Sequence, residues 1–278
     1  MTTKGIPPTW ERLPVTRDLT LLYQLSLTIG LFLLAGSALG LLSSDQVYPT
    51  ANIRELTLAN DVISLVVGLP ALLVSLALAR RGSLLGLLFW PGALFYVIYN
   101  AIAYVFLLPL NASFLLALGQ LILSVYTTVA LTAAVDVRSL RRQLQGGVSE
   151  KIAASALMGL GAAFLLLALG TMGAAALGLA PPPSELPVFV ADSLTAPAWI
   201  IGGVLLWRRQ PLGYLAGGAL LFQASMLFVG VIGIMFLQPL ITHEPFLLVD
   251  TLVLAGMGLV CFVPTVLFAR GAVSGAIK

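Results

Sequence analysis

Eight long apolar runs, separated by mostly short polar segments, dominate the pattern of hydrophobic positions along the chain. Each run is close to or above the roughly 20 residues that a helix needs to cross a bilayer core of about 30 Å. Backbone amides find no water in hydrocarbon, so each run is expected to be helical throughout. The runs cover residues 19–42, 61–79, 84–108, 112–135, 152–179, 188–207, 211–237 and 246–269.

Composition supports a membrane location. Hydrophobic residues make up 59% of the chain and charged residues 9%, with a mean hydropathy of +1.05. A soluble domain carries about 25% charged residues, so most of this surface must face lipid. The sequence therefore predicts an all-α integral membrane protein whose partner is the lipid bilayer. The net charge of +3 does not indicate a nucleic-acid partner, because the position of the basic residues explains it.

The basic residues predict the orientation. If the amino terminus lies inside, 13 of the 14 Lys and Arg residues fall on the inner side, and only Arg54 lies outside. Lys and Arg accumulate in cytoplasmic loops of membrane proteins. We therefore expect eight transmembrane helices with both termini cytoplasmic, in a prokaryotic cytoplasmic membrane.

The chain also aligns with itself at an offset of about 126 to 138 residues. Internal repeats of this kind indicate how a fold is built. Four helices in each copy give both copies the same orientation, so we predict two parallel four-helix repeats: residues 1–136 and 150–278, joined by a basic cytoplasmic linker, 137–149. The matches include Arg80-Arg81 with Arg208-Arg209, Gly92-Ala93-Leu94 with Gly218-Ala219-Leu220, and Phe106-Leu107-x-Pro109-Leu110 with Phe236-Leu237-x-Pro239-Leu240.

Polar residues within the apolar runs are the candidate functional residues, because burying them in a bilayer is costly. Tyr96, Asn100 and Tyr104 are spaced four apart and share one face of the third helix. Together with Asp61 they predict a cavity that opens outward. The full set of candidate ligand-binding residues is Asp61, Tyr96, Asn100, Tyr104, Gln120, Asp192, Gln223 and Asp250, with Gln120 and Gln223 as a floor.

A structural interpretation of the same residues competes with this one. Tyrosines favour the membrane interface, and Asn or Gln can bond between helices. Asp61 and Asp192 stand at the predicted amino termini of their helices, where a carboxylate caps free amides and meets the helix dipole favourably. We interpret both acids first as caps.

Metal and cofactor sites are not predicted. The chain has one cysteine, Cys261, and one histidine. His243 and Glu244 precede Asp250, but their spacing matches no standard ligand pair, so we interpret this segment as a solvated loop with an acid at a helix start. The chain also lacks a phosphate-binding Gly-x-x-x-x-Gly-Lys loop and a Gly-x-Ser-x-Gly elbow.

Three functions remain. The first is binding or transport of a small solute through an outward-facing polar pocket. The second is a non-catalytic membrane subunit or scaffold, and the sequence leaves open an oligomer or a partner subunit. The third is a membrane enzyme acting on a lipid or quinone through Asp61, Asp192 or Asp250, which the scarcity of polar groups disfavours. The side chain of Asn100 distinguishes the first two: facing a cavity it favours binding, and bonding to another helix it favours a scaffold.

Overall fold

The computed structural model describes residues 13–48, 50–242 and 246–275, and these residues are predominantly helical. Within these ranges no strand is present, apart from one isolated bridge between Val15 and Val135. The helices are α1 (Thr20–Leu42), α2 (Ser44–Val47), α3 (Ala51–Ile63), a π-helical turn (Ser64–Gly68), α4 (Leu69–Arg80), α5 (Leu84–Leu107), α6 (Ala112–Ala134), α7 (Val137–Leu144), α8 (Glu150–Ala176), α9 (Leu186–Trp207), α10 (Pro211–Thr242) and α11 (Leu248–Gly275).

Eight of these helical rods are long and apolar enough to cross a membrane. They are α1, the continuous rod formed by α3, the π turn and α4, and then α5, α6, α8, α9, α10 and α11. The predicted all-α fold and the number of spans are confirmed, and they indicate an integral membrane protein that crosses the bilayer several times.

The second span begins earlier than the apolar run that predicted it. Thr50 caps it, because its side chain accepts a hydrogen bond from the backbone N–H of Ile53 (3.3 Å), and the helix runs from Ala51. Asp61 therefore lies inside the helix, and its predicted capping role is wrong. The same correction applies to Asp192, because α9 begins at Leu186 and places Asp192 in its second turn.

A π-helical turn interrupts the second span three residues after Asp61. The backbone N–H of Leu69 bonds to the carbonyl of Ser64, five residues back. Pro70 follows, and because proline has no N–H it cannot make the ordinary bond to the carbonyl of Val66. The wide turn thus directly precedes the proline. Such π turns occur frequently at functional sites.

The centre of the bundle is a close parallel contact between α5 and α10. Gly92 of α5 lies against the carbonyl of Ala219 in α10, where an added Cβ would overlap the oxygen. One turn further along α5, the Tyr96 hydroxyl lies against Gly230 of α10. α5 also contacts α4, α6 and α9, while α10 also contacts α3, α9 and α11. Both helices start at the end of the bundle that carries the turns 81–83 and 208–210, which we call the arginine end.

The segment predicted as a linker, 137–149, contains the helix α7 and packs against the bundle. Asp136 caps α7 by accepting hydrogen bonds from the N–H groups of Arg138 and Ser139 (both 3.1 Å). Leu140 and Leu144 are fully buried, and α7 contacts α10 and α11. This segment is therefore joined to the main hydrophobic core.

Candidate functional site

A buried carboxylate, Asp61, is the centre of a hydrogen-bond network at the end of the bundle opposite the arginine end. Asp61 is 1% exposed. Its Oδ1 accepts a hydrogen bond from the Tyr104 hydroxyl (2.8 Å), and its Oδ2 accepts one from the Tyr48 hydroxyl. The Asn60 amide donates to the Tyr104 oxygen (3.1 Å), and Ser37 lines the cavity beside the carboxylate. Two tyrosine hydroxyls thus hold the acid, and Asn60 orients one of them.

Tyr48 reaches Asp61 from the connection between α1 and the second span. It is an extended residue directly after α2, 1% exposed, and packs with Val47, Leu108 and Ala117. Burial, with the Asp61 carboxylate as the next cause, raises the pKa of the Tyr48 hydroxyl well above its usual value of about 10. Tyr48 therefore keeps its proton and acts as a hydrogen-bond donor at neutral pH.

A small polar cavity adjoins the carboxylate, and we call it the Asp61 cavity. Its volume is about 40 Å³, enough for a few water molecules at the roughly 10–15 Å³ that one requires on this measure. Among the described residues that line it, none is Lys, Arg or His. Besides Asp61 and its two tyrosines, the polar lining consists of Ser37, Ser64, Asn100, Ser113 and Gln120.

A second, larger cavity lies on the other side of Tyr104, and we call it the tyrosine pocket. Its volume is about 200 Å³. Asn100 and Tyr104 line both cavities and form the partition between them. Asn60 also contributes a polar group to this pocket. The remaining wall includes Tyr96 and Tyr99 from α5 and apolar side chains from α10, among them Leu227, Val231 and Ile234.

Asn100 faces the cavities and bonds only within its own helix. It is 7% exposed, and its amide donates to the Tyr96 carbonyl one turn earlier (3.0 Å). The Tyr96 ring packs on Gly68, where an added Cβ would lie 2.8 Å from a ring carbon. A glycine in the π turn therefore lets Tyr96 approach the second span closely, beside Asn100.

Asp192 lies next to the tyrosine pocket and not in its wall. The hydroxyl of Tyr99 donates to its Oδ1 (3.0 Å), which joins α5 to α9. Tyr99 itself lines the pocket. Asp192 is thus connected to the pocket through one hydrogen bond.

Gln223 and Asp250 lie apart from both cavities. Gln223 is fully buried, and its Oε1 accepts a hydrogen bond from the Trp199 indole (2.5 Å), while its Nε2 has no partner among the described residues. Asp250 is exposed in the first turn of α11. Of the predicted residues, the structure brings together Asp61, Tyr96, Asn100, Tyr104 and Gln120.

Several residues of the site were not predicted. Tyr48 falls in a polar connection, and nothing in the local pattern distinguishes it from an exposed loop residue. Ser37, Ser64 and Ser113 are small hydroxyl residues that are common within apolar runs. Tyr99 precedes Asn100, and its proximity to the predicted stripe was the only available signal.

Metal-binding clusters are absent from the part of the chain that the structure describes: no group of three or more His, Cys, Asp or Glu residues converges there. His243 and Glu244, considered above as ligands, lie outside the described residues. The carboxylates at the two cavities are thus separate: Asp61 lines one cavity, while Glu185 lines the other and Asp192 lies behind it.

Comparison with known proteins adds no relative. The two cavities and the residues between them are therefore the features from which a function can be inferred. No family model matches the chain, and no curated protein or solved structure is significantly similar to it.

Proposed function

We propose that the protein binds a small solute in the tyrosine pocket and that this binding is a step in transport across the membrane. The orientation of Asn100 carries the proposal. A buried amide costs free energy unless its polar atoms are bonded. One N–H of Asn100 bonds to its own helix, and the side chain lines both cavities, so a ligand or water there would satisfy its remaining polar atoms.

The walls of the tyrosine pocket define the class of solute. Its tyrosine rings and the apolar side chains of α10 favour an apolar body, while Asn60 and Asn100 offer amide groups to a polar end. None of the described residues that line it is Lys or Arg, so the pocket offers no partner for an anion. Its volume of about 200 Å³ lies below the roughly 300–1,000 Å³ of sites for drug-sized ligands. A small neutral or cationic amphipathic solute fits these properties.

The proposed duplication supports a role in transport. Corresponding helix pairs are in contact in both proposed repeats. The duplication pairs α5 with α10, and α3 with the first part of α9. In agreement with this pairing, α5 contacts α9 and α10 contacts α3. The tyrosine pocket lies between α5 and α10, one helix from each proposed repeat, 1–136 and 150–278. Transporters with repeated halves bind their substrates at the interface of the repeats.

The turns at the arginine end give a second argument for duplication. Gly82 (φ 78°) and Arg209 (φ 54°) both have positive φ. In each turn this residue donates its N–H to the carbonyl three residues back, and the next residue donates to the carbonyl five residues back. Four residues later a glycine, Gly86 or Gly213, packs on the backbone of the preceding helix. This geometry pairs Gly82 with Arg209. The alignment of the arginine doublets instead pairs Arg81 with Arg209, so the two alignments differ by one residue.

The proposed orientation places both cavities on the outer side. They lie opposite the arginine end, and Lys and Arg remain cytoplasmic. Both termini are then cytoplasmic as well, and in a prokaryotic cytoplasmic membrane the pocket receives solute from outside the cell. Solute release on the inner side requires a rearrangement of the α5–α10 contact, as in rocking of one repeat against the other.

A thermal-stability screen tests the proposal. The full chain, purified in detergent, is heated with a library of small amines, alcohols and amphipathic neutral solutes. A ligand at a hundred times its dissociation constant stabilises the folded state by about 2.7 kcal/mol. The expected result is a shift in the parent that is lost in Asn100→Ala. Gln223→Ala is the matched control, because it removes a buried amide that lines neither cavity and should preserve the shift.

A scaffold or subunit is the second candidate, because other buried polar groups do join helices. The Tyr99–Asp192, Trp199–Gln223 and Ser225–Thr265 hydrogen bonds connect α5 to α9, α9 to α10 and α10 to α11. If no compound shifts the parent, and Asn100→Ala and Gln223→Ala are equally destabilised, the scaffold is favoured over the binding protein. Isolation of the chain from its native membrane should then yield a stoichiometric partner.

A further inference from the structure

The buried carboxylate of Asp61 has no positively charged partner on the cavity side. Its described neighbours there are hydroxyl, amide and apolar side chains, and none of the residues that line the cavity is Lys, Arg or His. A buried charge without a counter-charge costs several kcal/mol. A cation from solution can supply that counter-charge.

The hydrogen-bond partners of Asp61 suit an ionised carboxylate, because each can act as a donor. Asn60 donates to the Tyr104 oxygen, so Tyr104 directs its own hydrogen to Asp61. Tyr48 donates to the other carboxylate oxygen. An ionised carboxylate offers about four acceptor positions. The two tyrosines use two of them, and the others are left for ligands in the cavity.

Three further side chains present unused oxygens to the same space. Ser64, Ser113 and Gln120 line the cavity and are 2%, 7% and 6% exposed. Within the described residues, none of these side chains forms a hydrogen bond. They come from the π turn and from α6, so they approach the cavity from two directions. Buried polar groups of this kind require a ligand, an ion or water.

We propose that the Asp61 cavity binds one alkali-metal cation, with Na⁺ as the first probe. Hard cations prefer oxygen ligands, and sites for divalent ions usually contain several carboxylates. Here one carboxylate balances one positive charge, and Ser64, Ser113 and Gln120 supply uncharged oxygens. The volume of about 40 Å³ accommodates a largely dehydrated ion with one or two waters.

The cation site adjoins the solute site through two shared residues. Tyr104 bonds to Asp61 and also lines the tyrosine pocket, and Asn100 lines both cavities. A cation on Asp61 orders both residues, so Na⁺ should increase solute affinity. This coupling rests on the proposed solute binding. The cation site itself is independent of that proposal. Coupling of this kind is reciprocal, so the solute should raise Na⁺ affinity by the same factor.

A salt titration without solute tests the cation site. The unfolding temperature of the full chain in detergent is measured as NaCl replaces choline chloride at constant ionic strength, with LiCl and KCl as further arms. The expected result is a saturable rise in Na⁺ or in one of the other alkali cations. Asp61→Asn should abolish it. Asp192→Asn is the matched control and should preserve it, because Asp192 is a buried membrane acid that does not line the cavity.

Two uncharged variants keep the test decisive if Asp61→Asn does not fold. Ser64→Ala and Gln120→Ala each remove one ligand oxygen and leave the carboxylate, so each should raise the half-saturating cation concentration about tenfold, which corresponds to about 1.4 kcal/mol of binding free energy. Equal unfolding temperatures in all salts, or a rise that none of the three variants alters, would overturn the cation site. Because no solute is present, this result is independent of the ligand screen.

Discussion

Gly40 lies directly against the carboxylate of Asp61. A Cβ on Gly40 would overlap both Oδ2 of Asp61 and the hydroxyl oxygen of Tyr48. Glycine is therefore required on this face of α1, because any side chain would displace the Tyr48–Asp61 hydrogen bond. The close approach of α1 positions the acid within the bundle.

We expect Gly40→Ala to destabilise the protein by about 1–3 kcal/mol, the usual cost of an extra methyl group in a packed interior. It should also weaken the cation dependence of the unfolding temperature, because Asp61 must move. Reversible unfolding in mixed detergent micelles, repeated in NaCl and choline chloride, measures both effects.

Gly36→Ala is the control for the loss of stability, and not for the cation dependence, because Gly36 also lines the Asp61 cavity. Gly36 lies one turn earlier on α1, and an added Cβ there meets nothing within 4 Å. Alanine is the better helix former by roughly 0.5–1 kcal/mol, so Gly36→Ala should keep or slightly raise stability. If both variants were equally destabilised, the loss would come from α1 generally, and the specific role of Gly40 would be rejected.

The two glycines show what the sequence can and cannot predict. A Gly36-x-x-x-Gly40 spacing is typical of close helix packing, but it does not predict that only Gly40 makes the contact or that its neighbour is an acid. Apolar runs identify spans well because a bilayer imposes their length: the run 112–135 corresponds to α6, Ala112–Ala134. The helix over residues 51–60 could not be predicted from apolar runs, because a helix outside the hydrocarbon can be polar. Arg54 and Glu55 are examples of such polar residues.

The raised pKa of Tyr48 predicts a loss of stability at alkaline pH. Its pKa in the folded state lies above the unfolded value of about 10, so the folded state holds the proton more tightly. The resulting stabilisation is fully present below pH 10 and decreases as the pH rises beyond it. Tyr48→Phe should be less stable at pH 8 by about 1.5–3 kcal/mol, the value of a hydrogen bond to a charged group. Its stability should also fall less steeply between pH 9 and 11.

Chemical unfolding of both proteins across that pH range checks the prediction. Tyr126→Phe serves as the control, because Tyr126 is 72% exposed and its hydroxyl has no described partner. It should reproduce the parent profile. A Tyr48→Phe profile parallel to that of the parent would show that the Tyr48 hydroxyl is not buried beside Asp61 in the folded protein.

Glu150, the first residue of α8, joins the start of this helix to the turn between α9 and α10. It is 6% exposed, and its carboxylate accepts hydrogen bonds from Arg209 Nε (2.6 Å) and the Tyr214 hydroxyl (2.5 Å). Glu150→Gln removes the charge and leaves an amide. Because the Arg209 side chain is 55% exposed and solvent screens it, we expect a loss of about 1–2 kcal/mol rather than the 3–5 kcal/mol of a fully buried pair.

Arg208→Gln is the matched control, since Arg208 is exposed and has no described partner, and it should change stability by less than about 0.5 kcal/mol. Equal unfolding free energies for the parent and Glu150→Gln would reject the ion pair. The sequence did not single out Glu150, because a glutamate beside Lys151 in a basic segment has the pattern of a solvated connection. Its burial depends on the turn at Arg209, which lies 59 residues further along the chain.

The proposed orientation predicts which surfaces a membrane-impermeant thiol reagent can reach. Cys261, the single native cysteine, is fully buried, so the parent protein should give no background. Ser184 is exposed at the end that holds the cavities, and Gln143 is exposed on α7 at the opposite end. With the basic residues cytoplasmic, Ser184→Cys should react in intact cells, and Gln143→Cys should react only after permeabilisation. The reverse pattern would place both cavities on the cytoplasmic side, and solute and cation would then enter from within the cell.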